Sequence, residues 1–424
     1  MNNPGDIRIS AVTITSPYKD VTLDISQSIK QIDIFEDIDA PTMLCNILVH
    51  DDVNLLANLP VVGEEDIRIA FNTPSYDIVS FNFKVYEVDN ESVPNDLSAK
   101  VYVLRCVSNE SIENAKRNVD TALVGSVDDL VEGVLKNYTK SNKNIIVERS
   151  KGTESVVFPA KTAPFQAVDY LRRKAISATY DSSSYVFFEN QRGFNFVTVE
   201  HLMDTGQKRE TIDGIKTYTY QPIQRREHKT DIKLFRNIIK YTVLGRTDTV
   251  HKLTSGAYKT DVRSFDVVTK QFTQNQYSIA DFSFKASDKA SRFNNTAKEL
   301  ASILREISPA HIIYGAKAAD VATSFVDNVR GARHIYSSLL GETTILALFY
   351  GDSSMKVGDV IKLNLLSSEV FDVSDKSATK NKDRDLERNI AGNYLITKLR
   401  HNIVDNGNFS YHISARLVKV GGSV

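Results

Sequence analysis

The stretch "KVGDVIKLNL" at Lys356–Leu365 has a counterpart far upstream, "VVGEEDIRIAF" at Val61–Phe71. In both stretches a valine, a glycine and an acidic residue precede a run in which apolar and polar side chains alternate. Alternation with a period of two is typical of a β-strand that is buried on one face. The two stretches therefore suggest that the chain carries one structural unit twice.

A second matched strand follows each stretch, beginning at Asn82 in the early copy and at Asn393 in the late copy. In both copies an aromatic residue comes directly after the asparagine. An aliphatic residue stands two positions beyond the aromatic, and another stands three positions beyond that: Phe83, Val85 and Val88, and Tyr394, Ile396 and Leu399. Chance similarity is the alternative, because any two antiparallel strand pairs look alike. The shared order of several matched features favours a duplication.

The rest of the chain alternates between β-rich and helical patterns. Short runs rich in β-branched and aromatic residues fill roughly the first hundred positions and return after residue 344. Between them, Ser126–Tyr138 has an apolar helical stripe behind a serine N-cap, and a second helix begins at Thr162. A hairpin is predicted at Tyr185–Glu200, turning through Asn190–Gly193.

We therefore predict a mainly β fold with α+β modules. It comprises two related antiparallel β-barrels, the second interrupted by an insertion, with a mixed α/β segment between them. The predicted boundaries are residues 1–110 for the first barrel, 111–205 for the α/β module, 206–245 and 344–424 for the second barrel, and 246–343 for the inserted domain. The insertion includes a predicted helix at Asn295–Ile307, and a charged solvated loop is predicted at 367–388.

The composition is that of an ordinary globular protein. The chain has 424 residues, 42% of them hydrophobic and 25% charged, with 52 basic and 53 acidic side chains. This balance gives no reason to expect sequence-specific nucleic-acid binding, which favours a basic surplus. No apolar run is long enough for a membrane segment, and the N-terminus is too polar for a secretory signal. The two cysteines, Cys45 and Cys106, make a disulfide framework impossible, and synthesis in a reducing cytoplasm is expected.

"GDSSM" at Gly351–Met355 matches the opening of the block that holds the nucleophile of GDS-type esterases, with Ser353 in the nucleophile position. Those enzymes place this serine near the N-terminus and use a downstream Asp-x-x-His as the base. Here the serine lies near the C-terminus, and no Asp-x-x-His follows it. A serine without a positioned base is a poor nucleophile, so a turn between two strands is the preferred interpretation.

Other candidate sites are no stronger, and we predict no catalytic, cofactor-binding or metal-binding residues. The histidines lack zinc-ligand spacing, and no phosphate-binding loop occurs. "RREHK" at Arg225–Lys229 is one short basic cluster beside a predicted domain boundary. The acidic residues of the charged loop lack the spacing and central glycine of an EF-hand; they are Asp372, Asp375, Asp383, Asp385 and Glu387.

The C-terminal part of the chain resembles the baseplate hub proteins of contractile-tailed, T4-type bacteriophages, which are related to the N-terminal part of type VI secretion spike proteins. The order of predicted elements, a barrel, a helical segment closed by a hairpin, and an interrupted barrel, is similar to that family too. The residues that carry the resemblance are Gly351, Asp352, Gly358, Asp359, Gly392, Tyr394 and His401.

The resemblance implies a structural protein rather than an enzyme. Such hubs form homotrimers in which two barrels per chain give a pseudo-sixfold ring between the hexameric tail tube and the trimeric spike. The first barrel would belong to the tube-docking ring, and the implied partners are the tube protein, the central spike protein and other baseplate (wedge) proteins. The implied location is the virion tail baseplate. A tail-associated cell-wall or glycan hydrolase and a receptor-binding tail module are the alternatives.

Overall fold

A computed structural model describes most of the chain. The described residues are 4–18, 21–52, 55, 59, 61–73, 76–92, 100–180, 182–212, 215–220, 236–245, 250, 254, 256, 259–266, 269–278, 311–317, 333, 343–365 and 390–420. The predicted helix at 295–307, the charged loop at 367–388 with its acidic candidates, and the basic cluster at 225–229 lie outside these residues.

Seven strands come first in the chain: β1 (Arg8–Ser16), β2 (Val21–Asp24), β3 (Ile29–Asp37), β4 (Leu44–Asp51), β5 (Asp66–Thr73), β6 (Tyr76–Ser92) and β7 (Lys100–Val107). They pair antiparallel in the spatial order β3-β4-β7-β6-β5-β1-β2. We call β1 and β3–β7 the N-terminal unit. Cys45 and Cys106 lie directly opposite each other in its β4–β7 ladder, and both thiols are free and buried.

An α/β module follows, and it packs around a hydrophobic core of its own. Its elements are α1 (Asn109–Lys116), β8 (Leu123–Gly125), α2 (Val127–Tyr138), β9 (Ile145–Val147), β10 (Glu154–Val156), α3 (Pro164–Arg172), β11 (Tyr185–Asn190), β12 (Gly193–Thr198) and α4 (Val199–Ile212). Ser126 caps α2 by accepting a hydrogen bond from the Asp129 amide. The predicted hairpin is present, but its second strand ends at Thr198, whose hydroxyl accepts a hydrogen bond from the His201 amide and so begins α4.

The remaining strands are β13 (Thr217–Tyr220), β14 (Asn237–Gly245), β15 (Lys259–Asp266), β16 (Phe272–Ser278), β17 (His311–Lys317), β18 (Thr344–Tyr350), β19 (Val360–Leu365), β20 (Gly392–Asp405) and β21 (Phe409–Lys419). We call β13, β14 and β18–β21 the C-terminal unit. Its strands pair in the closed circle β13-β19-β20-β21-β18-β14, so that β14 meets β13 again. Between β14 and β18, strands β15–β17 form a separate three-stranded sheet.

The two units share one strand order. The N-terminal order β1-β5-β6-β7-β4-β3 becomes the C-terminal order when each strand is replaced by the one of the same rank along the chain. The corresponding pairs are β1 and β13, β3 and β14, β4 and β18, β5 and β19, β6 and β20, and β7 and β21. Six strands can be connected in many ways, so an identical order in both halves confirms the predicted doubled unit.

The units also share their irregularities. The β6–β7 ladder shifts register after Val85, and the β20–β21 ladder shifts after Ile396. Each shift is a β-bulge, in which one strand has an extra residue. The bulge explains why the inward-facing aliphatic residues of both copies are spaced by two and then by three. A second shared bulge follows Ile29 in β3 and Ile238 in β14.

The turn before β5 and the turn before β19 also correspond, though their glycines do not. Val85 bonds through its amide and carbonyl to Glu65 and Glu64, at 2.9 and 2.8 Å. Ile396 bonds to Asp359 and Gly358 in the same way, both at 3.0 Å. Gly358 therefore occupies the place of Glu64, and both residues have positive φ, 89° and 73°.

The mainly β class with an α/β module is confirmed, but two expectations about the barrels need correction. The prediction of purely antiparallel barrels is wrong for the C-terminal unit, because β13 pairs parallel with both β14 and β19. Within the described residues the N-terminal unit shows no ladder between β1 and β3. Just before β3, the Ile25 amide donates to the Val12 carbonyl and the Val12 amide donates to the Ser26 hydroxyl, both at 2.8 Å. The edge of β3 pairs instead with β20.

This pairing joins the two units into one sheet over one core. The twelve strands of both units, together with β2, form a continuous sheet, and a single cluster of buried side chains draws on both units. The division into domains at the predicted boundaries stays a prediction, and α4 runs across the boundary placed between 205 and 206. Within the described residues, no helix has the length and apolar character needed to cross a membrane.

Candidate functional site: the seam between the units

The two units meet where β3 runs antiparallel to the second half of β20, a contact that we call the seam. Seven residue pairs face each other, from Asp37 opposite Lys398 to Gln31 opposite Val404. The first half of β20 belongs to the C-terminal unit, where it pairs with β19. After the bulge at Ile396 the strand leaves β19 and pairs with β3. The bulge thus turns one strand from its own unit toward the other.

Three ion pairs join β3 and β20, two on the outer face of the seam and one just beyond its last residue pair. Lys398 Nζ lies 2.6 Å from Asp37, Arg400 Nη2 lies 2.9 Å from Asp33, and Lys30 Nζ lies 3.0 Å from Asp405. The first two form because side chains alternate along a strand, so these charges on β3 and β20 share one face. Exposed pairs of this kind contribute little energy, about 0–1 kcal/mol each, but opposite charges penalise a slipped register.

Asp33 is the most fully engaged of these carboxylates. It accepts two hydrogen bonds from Arg400, both at 2.9 Å, and one each from Asn402 and Gln31, both at 2.7 Å. The Arg400 guanidinium carbon also lies 5.8 Å from the centre of the Phe35 ring. A paired, planar guanidinium fixes geometry more strictly than a lysine would. This part of the seam therefore has one well-defined alignment.

His401 lies on the inner face of the seam and is completely enclosed. Its Nδ1 is 2.5 Å from the hydroxyl of Tyr411, and its ring is 5.9 Å from that of Phe81 in the N-terminal unit. Its Nε2 has no hydrogen-bond partner and lies 3.9 Å from a Glu36 carboxylate oxygen. Burial, with the nearby charges of Asp352 and Glu36, raises the pKa of Tyr411 well above its usual range, so this phenol stays neutral.

Glu36 connects the seam to two other parts of the molecule. Its carboxylate accepts hydrogen bonds from the Gln191 amide (3.2 Å) and from the Val357 amide (2.9 Å). Gln191 is at the tip of the β11–β12 hairpin, and Val357 lies in the turn before β19. A buried carboxylate is costly unless backbone donors compensate it, as they do here. Glu36 thereby ties β3 to both turns.

The Val357–Asp359 turn is where the α/β module docks. The Asn190 side chain donates to the Val357 carbonyl at 2.9 Å, and Arg192 lies 3.0 Å from Asp359. Gly358 allows this close approach, because a Cβ there would lie 2.9 Å from the Phe188 ring. The predicted motif residues Gly358 and Asp359 thus form a structural joint.

The α/β module also contacts the N-terminal unit, through the buried carboxylate of Glu189. Glu189 accepts a hydrogen bond from the Met43 amide at 3.0 Å, just before β4. Lys143 lies between Glu189 (2.5 Å) and Glu110 (2.7 Å). Burial would lower the pKa of Lys143, but the two carboxylates raise it above its ordinary value, so the lysine stays charged.

The Gly351–Met355 turn joins the two units on another side. A Cβ on Gly351 would lie 1.9 Å from the Tyr411 ring. Asp352 accepts hydrogen bonds from the Tyr218 hydroxyl at 2.7 Å and from the Ser354 amide at 3.0 Å. Burial acts to raise the pKa of Asp352, but Lys216 and these donors hold it below its ordinary value.

Ser353 has no feature of a nucleophile. Its side chain is buried, and its hydroxyl lies 3.2 Å from that of Thr73 at the end of β5. Among the described residues, this enclosed hydroxyl has no basic side chain within hydrogen-bond distance, and a nucleophilic serine needs such a base. The geometry therefore supports the interpretation of "GDSSM" as a turn. In the part of the chain that the structure describes, no group of three or more potential ligands could hold a metal ion.

The remaining motif residues lie at the start of β20. Gly392 has a φ of 138°, which only glycine adopts readily, and faces Leu363 of β19. The Tyr394 side chain is buried, and its hydroxyl donates to the Ile390 carbonyl. Five of the seven motif residues thus lie in or beside contacts between parts of the molecule, whereas Gly392 and Tyr394 make these contacts inside the C-terminal unit. Sequence reasoning missed Glu36, Asp33 and Arg400, because strands so far apart in sequence give no local sign that they pair.

The fold is shared with solved structures of tail proteins. The crystal structure of the tail protein from Neisseria meningitidis MC58 matches with a TM-score of 0.55 and 8% identity, covering 98% of this chain and 97% of that one. The 43 kDa tail protein of prophage MuSo2 from Shewanella oneidensis matches with a TM-score of 0.54 and 8% identity, covering 97% and 98%.

This chain has the tail-protein fold. Because both structures match over nearly their whole lengths, the likeness covers the two units and the α/β module together. The structural match establishes the fold alone. Because the sequence identity is only 8%, the function has to be argued from the site. No family model matches the sequence, and no curated protein does.

Proposed function

We propose that the chain is a structural baseplate hub protein of a contractile phage tail. Three copies form a ring of six similar units, which adapts the hexameric tail tube to the trimeric spike. The observation that carries this proposal is the internal duplication, with its shared strand order and shared bulges. A threefold assembly of doubled units presents six similar positions, and this resolves a mismatch between sixfold and threefold partners.

The interior of the seam supports a geometric role. Two buried carboxylates, Glu36 in the seam and Asp352 in the Gly351–Met355 turn, accept hydrogen bonds from backbone amides and a tyrosine hydroxyl of other segments. Buried carboxylates that are compensated in this way help to specify a single alignment of the parts they join. A hub that transmits force between tube and spike needs such an alignment and no catalytic residue.

The proposal includes partners and location. The tube protein would meet one face of the ring, and the central spike protein would meet the other. Other baseplate (wedge) proteins would surround the ring. The chain would be made and assembled in the host cytoplasm and end in the virion tail. The tail-protein fold supports this placement.

Native mass spectrometry tests the proposal directly. At micromolar concentration we expect a trimer of about 142 kDa, three times the 47.4 kDa of one chain. Adding the tube protein of the same tail is expected to give a larger complex that contains three hub chains. A species that stays monomeric with and without the tube protein would contradict the proposal. So would clear lysis on a zymogram of bacterial cell wall, which would favour the hydrolase alternative.

A further inference from the structure

The seam is formed by one strand from each unit. Each of these strands has a counterpart in the other unit, and neither counterpart takes part in the seam. β3 and β20 form the seam, whereas their counterparts are β14 in the C-terminal unit and β6 in the N-terminal unit. If six units repeat around a ring, the contact that joins units within a chain has an equivalent between chains. β14 and β6 are the strands that would make it.

The surroundings of β14 differ from those of β3 in the way this idea requires. Ile32, Asp33 and Ile34 of β3 are buried under the seam. Their counterparts in β14, identified through the shared bulge and the pairing with β4 and β18, are Tyr241, Thr242 and Val243. Thr242 is exposed, and the other two are only partly buried. The neighbouring Leu244 is 56% exposed, which is unusual for a leucine in a sheet.

The surroundings of β6 differ from those of β20 in the same way. β20 pairs with β3 immediately after its bulge, and Leu399 there is buried. The counterpart of Leu399 is Val88, which is only partly buried, and both Tyr86 and Glu87 are exposed. Among the residues that the structure describes, β14 and β6 thus lack the strand that covers their counterparts β3 and β20.

The register of the missing contact can be derived from the existing one. In the seam, Asn402 faces Asp33 and Arg400 faces Phe35. Through the β7 and β21 ladders, Ser92 corresponds to Asn402 and Asp89 to Arg400. Through the β4 and β18 ladders, Thr242 corresponds to Asp33 and Gly245 to Phe35.

These correspondences predict that Ser92 faces Thr242 and that Asp89 faces Gly245. In each pair the two residues are placed through different ladders, yet both pairs agree on one antiparallel register. Asp89 and Ser92 are three positions apart in sequence, and so are Thr242 and Gly245. Each strand has one extra residue in this interval, where β6 bulges against β7 and β14 bulges against β18. The agreement is an internal check on the derivation.

We propose that β14 of one copy pairs antiparallel with β6 of the next copy, with Thr242 opposite Ser92, which rests on the ring of the proposed function. The contact repeats the seam between chains. It is heterologous, since it joins two different surfaces, and such contacts close into rings when the rotation permits. In the proposed trimer, three seams within chains and three between chains alternate, and a continuous sheet runs through all six units.

Disulfide formation between engineered cysteines tests this pairing. Ser92→Cys and Thr242→Cys replace exposed, small polar residues. Residues directly opposite each other in antiparallel strands have Cα atoms about 4.5–5.5 Å apart, which a disulfide can bridge. After mild oxidation, an equimolar mixture of the two single variants is expected to give a linked dimer on a non-reducing gel. Either variant by itself is expected to give none, and the double variant a ladder that ends at linked trimer.

The off-register control combines Thr242→Cys with Asn82→Cys. Asn82 is an exposed residue of the same strand β6, but it lies ten residues from Ser92, roughly 33 Å along the strand. This combination is expected to give no linked species. Native Cys45 and Cys106 are buried and do not take part, so the unmodified chain also stays unlinked.

Native mass spectrometry of the same samples separates the possible failures. A trimer that fails to cross-link through Ser92→Cys and Thr242→Cys would overturn this pairing while leaving the ring intact. Linkage of a single variant to itself, or equal linkage of the off-register control, would overturn it as well. A monomer without cross-links would contradict both the pairing and the proposed function.

Discussion

β3 and β14 hold the same place in their units and carry the same bulge, yet one is covered and the other is exposed. β3 is completed within the chain, because β20 pairs along its edge and buries its middle residues. In β14, the corresponding residue Thr242 remains exposed. The difference shows that equivalent positions in a duplicated chain need not have equivalent neighbours. One of them can form its contacts within the chain and the other outside it.

The turns of the two units differ in a second way. Gly351 follows β18 and bonds to the Tyr411 carbonyl, and in the N-terminal unit the corresponding place holds Asp51, which faces Lys100. Gly358 likewise has a larger counterpart, Glu64. In the C-terminal unit these turns press against other parts of the molecule, so only glycine fits. Two mutational comparisons test this contrast between the turns, and a third compares the seam with an ion pair inside one unit; they run from the largest expected effect to the smallest.

Gly351→Ala is expected to have the largest effect. The added Cβ would lie 1.9 Å from the Tyr411 ring, which is itself enclosed by the core. Relieving that overlap means moving a buried aromatic ring, so we expect a loss of about 3 kcal/mol in the free energy of unfolding. Urea denaturation at fixed protein concentration measures it. Gly133→Ala in α2 is the control, because its Cβ would meet nothing within 4 Å and should stabilise by about 0.5–1 kcal/mol.

Gly358→Ala, compared with Glu64→Ala, sharpens the contrast at a matched position. Both residues have left-handed φ, but only at Gly358 would a Cβ press against the Phe188 ring, at 2.9 Å. We expect Gly358→Ala to cost about 2 kcal/mol through strain and crowding, measured by urea denaturation. Glu64→Ala keeps a Cβ that the turn already accommodates and should change stability much less. Equal losses at both positions would mean that docking of the α/β module does not distinguish the two turns.

Arg400→Ala, compared with Arg105→Ala, is expected to give the smallest difference. Arg400 crosses the seam to Asp33, whereas Arg105 pairs with Asp89 inside the N-terminal unit. Both arginines are partly exposed, so screening limits each pair, and we expect Arg400→Ala to cost about 1 kcal/mol. Arg105→Ala should cost less, because its pair with Asp89 lies within one unit and does not hold the two units of the chain together. A larger loss for Arg105→Ala, in denaturation curves at low and high salt, would contradict the importance assigned to the seam.

Most of the strands, the two central helices and the doubled unit could be predicted from the sequence. The spacing of Phe83, Val85 and Val88, repeated at Tyr394, Ile396 and Leu399, records a bulge, and a bulge leaves a local signal. The seam leaves no such signal, because its two strands are separated by more than 350 residues. The parallel pairing of β13 was also invisible, since a strand of four residues shows no direction in its pattern.

The candidate site was only partly foreseen, for a similar reason. The glycine-containing turns stand out in sequence, so Gly351 and Gly358 were found. Their roles depend on the Tyr411 and Phe188 rings, which approach from distant parts of the chain. Glu36 was missed because a charged residue in an alternating strand normally faces solvent. Here it is turned inward, and two backbone amides from other segments compensate its charge.

Electron microscopy of the purified assembly, viewed along its axis, tests the central claim most directly. The account predicts a ring with threefold symmetry in which six lobes of nearly equal size surround the axis, two from each chain. Each gap between lobes would be bridged by a strand pair, alternately β3 with β20 and β14 with β6. The account would be contradicted by a particle with only three lobes or with twofold symmetry. It would also be contradicted by isolated chains under the solution conditions used for native mass spectrometry.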